Sequence, residues 1–131
     1  MSYLEEKREL VKSISQLEQA IGQSTAKILT LRLKVEAARV AYDRCVYLRD
    51  TSRETLDCMK KTGVVVEIND YQGALGFYKH NRDLASNHKT EVFMYQKKLD
   101  AEALEVSSLE RVLENAIKMD ASTAIILPFE R

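Results

Sequence analysis

An apolar residue recurs every three and four positions from Tyr3 to Met59, and nothing else in this 131-residue chain restricts its fold so strongly. Leu10, Leu17, Leu31, Ala38, Cys45 and Met59 take the d positions of one heptad frame. Ile14, Ile21, Ile28, Val35, Tyr42 and Leu56 take its a positions. A 3.5-residue spacing held this long specifies a coiled-coil seam, because the broader stripe of an ordinary globular helix follows the 3.6-residue period instead.

The composition agrees. Charged residues make up 31%, and one Pro (Pro128) with four Gly is the content of long helices rather than of a loop-rich fold. The expectation is an all-α single domain over residues 1–131, a long antiparallel two-helix coiled-coil hairpin. Helix one spans about residues 2–62, a short connector 63–69, helix two about 70–119 and a non-helical C-terminal tail 120–131. Ser2 with Glu5 forms a capping box at the start of helix one, and Lys60, Lys61 and Gly63 mark its end. Helix two repeats Tyr71, Tyr78, Ala85, Val92, Leu99, Val106 and Leu113 at seven-residue steps. Gly73 and Gly76 weaken its first turns, which a close approach to helix one would explain.

Folding at about residue 66 brings Ile28 opposite Val106, Val35 opposite Leu99 and Ala38 opposite Tyr95, with Lys34 near Asp100. The first part of the chain, to Gly63, carries 12 basic and 9 acidic side chains, and the rest 8 and 11, which suits antiparallel arms. Nearer the tip the seam turns polar: Arg49 and Ser52 share it with Asn81 and His88, beside Cys45. Polar layers of this kind fix register at a cost in stability.

Several function classes lose support. With 20 basic and 20 acidic residues the net charge is zero, so no nucleic-acid partner is expected. No apolar run approaches the roughly 18 residues of a membrane span, and no membrane association is expected. Cys45 and Cys58 stand about 20 Å apart along one helix, too far to bridge within it. A reducing compartment follows, the cytoplasm or a particle assembled there. A contact between Cys45 and His88 supplies two ligands where structural zinc takes four, so no metal and no cofactor is expected. A two-helix layer has no water-excluding cleft for a small-molecule substrate, and the expectation is not an enzyme.

Protein partners are expected instead. A helix of about 60 residues extends about 90 Å, and two such helices leave most of their surface in water unless another chain covers it. Candidate anchors fall in three places. Ile125, Ile126, Leu127 and Phe129, with Pro128 holding the peptide extended, form an apolar tail that folds back over the first turns of helix one or docks on another protein. Val64, Val65 and Val66 plug the hairpin end or add an edge strand to a partner. Tyr47, Phe77 and Phe93 lie partly outside the seam, where exposed aromatics anchor partners.

A long helix, a tip at Gly63, then Tyr71 and a second long helix ending in SLERVLENA resembles the small coiled-coil stalk proteins of flagellar and type III export ATPases over residues 1–118. That resemblance implies a cytosolic stalk or escort, and the AIILPFER tail is no part of its pattern. The residues themselves favour a structural or assembly protein: a strut, clamp or adaptor in a larger multi-subunit particle such as a virus or phage virion. A homo-oligomeric scaffold or regulator is the third class, since β-branched a positions with Leu at d favour self-pairing.

Overall fold

A computed structural model describes the backbone of residues 2–61 and 68–126, and the side chains of residues 2–61 and 69–121. Among these residues the fold is an all-α helical hairpin. Helix α1 runs Tyr3–Lys61 and helix α2 runs Ile68–Ile126, each 59 residues long. The Ser2 hydroxyl accepts the Glu5 amide at 3.3 Å and the Ser2 carbonyl accepts the Glu6 amide at 3.1 Å, so the expected N-cap forms. Glu5 and Glu6 in the first turn of α1 and Lys60 and Lys61 in its last complement the helix dipole.

The seam follows the heptads. Along α1 the a and d residues from Leu10 to Met59 are buried or half-buried, whereas most residues between them are exposed; α2 repeats the pattern from Tyr71 to Asp120. The chain divides into two compact units, Arg32–Lys97 and the combination of Met1–Leu31 with Lys98–Arg131.

In the Arg32–Lys97 unit the buried apolar side chains are Val35, Ala38, Cys45 and Leu56 from α1 and Ala85 from α2. Small residues at buried seam positions, Ala38 on α1 and Ala85 on α2, let the backbones approach closely, which gains dispersion contacts where a two-layer fold has little volume to fill. The Lys34 ammonium lies 5.7 Å from the centre of the Tyr95 ring, a cation–π contact between the arms. In the other unit Ser24 and Ala116 are buried, while Leu10, Ile14, Leu17, Ile28, Val106, Leu109 and Leu113 are half-buried. There the Lys7 ammonium pairs with the Asp120 carboxylate and also donates to the Asp120 backbone carbonyl at 3.1 Å.

Four expectations change. Residues Asp120–Ile126, expected as the start of a non-helical tail, continue α2. Pro128 is the first residue that a helix cannot accommodate, and it disfavours helical geometry only at the residue before it, so Ala121 and Ala124 propagate the helix past the Ser–Thr pair. Helix α2 also starts at Ile68 rather than near Asp70, and the two helices are equal in length, so helix one has no overhang for a tail to cover.

Among the described residues the close approach expected at Gly73 and Gly76 is absent: a Cβ on either glycine would meet nothing within 4 Å. The register differs as well. Folding at residue 66 places Lys7 opposite residue 126 and Lys34 near Asp100, but their partners across the hairpin are Asp120 and Tyr95, six and five residues nearer the connector. The long lysine side chains absorb part of that difference. A slip of half a heptad brings a positions onto d positions, so the apolar pattern accepts both registers.

Candidate interaction surface

Heptad periodicity gives α1 a second row. Leu33, Val40 and Tyr47 stand at seven-residue steps on the side of α1 away from its seam, and they are 73%, 59% and 69% exposed. Ala37, one turn on from Leu33, joins Leu33 to Val40, so the row reads at three- and four-residue spacing like a seam of its own. Three large apolar side chains aligned on a helix face and left in water are the mark of a surface meant to be covered.

Beside this row lies an open groove of about 790 Å³. Leu33, Ala37, Val40, Ala41 and Leu48 of α1 form one wall, Leu84 with Asn81 and His88 of α2 the other, and Glu36 and Arg44 bring the charge. A smaller groove nearer the connector is bounded by Leu48, Thr51, Ser52, Thr55, Ala74 and Phe77. Together they make the Leu48 side of this unit largely apolar.

The polar layer lies against these grooves and is satisfied within each helix. Buried Ser52 donates its hydroxyl to the Leu48 carbonyl at 2.6 Å, and buried Asn81 donates its amide to the Phe77 carbonyl at 2.9 Å. Half-buried Arg49 pairs with its neighbour Asp50 at 3.0 Å. These polar groups therefore cost little desolvation without tying the arms together. His88 is different. Its Nδ1 is buried and without a hydrogen bond, and the Glu91 carboxylate lies 3.6 Å away. Cys45 and His88 line the same groove, and among the described residues no group of three His, Cys, Asp or Glu side chains could hold a metal ion. Of the two cysteines, Cys45 is buried and Cys58 exposed.

Of the candidate anchors, Tyr47 completes the outer row of α1, Phe77 lines the smaller groove at 49% exposure, and Phe93 is exposed beside Met94, in neither groove. Val64, Val65 and Val66, and Leu127, Pro128 and Phe129, lie outside the described residues. Ile125 and Ile126 close the last turn of α2 in backbone, and their side chains lie outside the described residues. Leu33, Val40, Leu48 and Leu84 are the surface residues that the heptad reading of the sequence passes over. Their signal is present as the seven-residue step from Leu33 to Tyr47, but it shares the period of the main seam and so reads as part of it.

No helix among the described residues is long and apolar enough to cross a membrane. No protein-family model matches the chain, and neither a curated protein nor a solved structure matches it. The resemblance to export-ATPase stalks therefore rests on heptads and the SLERVLENA segment alone.

Proposed function

We propose that this protein is a non-enzymatic structural or assembly component, a coiled-coil hairpin that serves as a strut, clamp or adaptor in a larger multi-subunit particle, such as a virus or phage virion assembled in the cytoplasm. One observation carries this reading. Leu33, Val40 and Tyr47 are exposed in a row that the hairpin's own seam does not use, beside an apolar groove with too few converging polar groups for catalysis. A long hairpin presents such a row at fixed intervals, which suits it to spacing or clamping its neighbours. The candidate anchors Val64, Val65 and Val66, and those from Ile125 to Phe129, would add further contacts.

The test compares tagged wild-type protein with a Leu33→Glu/Tyr47→Glu variant, each expressed in the native source. Recovery of wild type in a discrete high-mass particle, from which a variant of equal helix content is missing, is the expected result. Recovery of both proteins free of any particle, or of both within it, would count against the reading.

A further inference from the structure

The row on α1 is self-complementary about Val40. Leu33 and Tyr47 lie seven residues to either side of it, and Glu36 and Arg44 four residues to either side. At about 100° per residue the first pair deviates from the direction of Val40 by roughly 20° and the second by roughly 40°, in opposite senses. All five side chains therefore face one partner helix.

From this symmetry we propose that the partner on this face is a second copy of the chain, docked antiparallel about a two-fold axis through Val40. The proposal rests on the reading of this face as an interaction surface. An isologous interface requires a patch that matches itself after a half-turn. Here the half-turn brings Val40 onto Val40 of the second copy and Leu33 onto its Tyr47. It also brings each Glu36 onto the other copy's Arg44, forming two opposite-charge pairs by symmetry. Neither Glu36 nor Arg44 has an ion-pair partner among the described residues. Parallel docking on the same row would stack Glu36 on Glu36 and Arg44 on Arg44, so charge selects the antiparallel arrangement. The groove beside the row, walled by Leu84 and Leu48, receives the flank of the incoming helix. Burial of Leu33, Val40 and Tyr47 drives association, and the charge pairs set orientation.

Sedimentation equilibrium of purified protein across micromolar concentrations tests this, with circular dichroism as the check on folding. The expected mass rises from 15.0 kDa toward twice that value. Val40→Glu places two carboxylates at the axis and should weaken association at least tenfold with helix content unchanged. Glu36→Arg and Arg44→Glu should each weaken it, and the double variant should restore it, an outcome that a purely structural role for these residues does not produce. A monomeric wild type, or a dimer indifferent to Val40→Glu and to the charge reversals, would overturn the proposal. If wild type is monomeric yet the Leu33→Glu/Tyr47→Glu variant is excluded from the native particle, self-pairing fails and the assembly reading stands. If neither mass nor incorporation responds, both fail.

Discussion

Gly73 and Gly76 occupy helix interior with open space where a side chain would be. Each lowers the stability of α2 by about 1 kcal/mol relative to Ala without any packing return. Gly73→Ala and Gly76→Ala should therefore each raise the urea midpoint, with a stability gain of about 0.5–1 kcal/mol, and a loss on either substitution would mean that a partner or a bend needs the glycine. His88 carries the opposite kind of defect, a buried nitrogen without a hydrogen bond. His88→Leu removes that desolvated atom and keeps the half-buried volume apolar, so stability should rise by about 1 kcal/mol in chemical denaturation. A destabilised His88→Leu variant would show that the imidazole makes a bond that matters. The polar layer was legible in the sequence as Arg49, Ser52, Asn81 and His88, but its bonding was not. Heptad position tells that a hydroxyl or amide is buried, and it does not tell that the carbonyl four residues back will satisfy it.

For each helix, the periodic core was legible and the ends were less so. Period-3.5 apolar residues identify a seam whatever lies opposite, which explains why α1 came out within a residue of its expected bounds. The end of α2 depended on whether the Asp–Ala–Ser–Thr run breaks a helix, and weak breakers yield when the helix is already formed and tied down. Lys7 supplies that tie by bonding both the carboxylate and the backbone carbonyl of Asp120. Two bonds from one ammonium predict an asymmetry: Lys7→Ala should cost more than Asp120→Ala, which leaves the carbonyl contact in place, with both effects about 1 kcal/mol or less because the pair is partly exposed. Thermal unfolding of the two variants checks this, and equal losses would mean that only the carboxylate counts. Backbone chemical shifts of residues 120–126 should be helical; random-coil values there would return the boundary to Met119.

In the molecule as a whole, hairpin architecture was legible because both arms carry the same period and too little else to build another core. Register was not, since heptads slipped by half a repeat still meet heptads. The outer row of Leu33, Val40 and Tyr47 escaped for a related reason: a second stripe on one helix shares the period of the first, and only burial separates the stripe that is covered from the one that is not. Because no large side chain of the main seam is fully buried among the described residues, its stability is spread over many half-buried contacts. Ile28→Asp in that seam should cost about 2–4 kcal/mol, by loss of apolar burial and the penalty on a charge facing the opposite arm. A fall of that size is a large fraction of the stability of a small domain. An unchanged denaturation midpoint for Ile28→Asp would place residue 28 outside the seam.

The contact between Lys7 and Asp120 also has a topological meaning. It makes the first turns of α1 neighbours of the last turns of α2, although the two residues stand 113 positions apart in sequence. A covalent linker from the end of α2 to the start of α1, with a new opening between α1 and α2, would give a permuted chain that begins in α2 and ends in α1. The order in which the arms leave the ribosome would be reversed, while every seam contact described above keeps its partner.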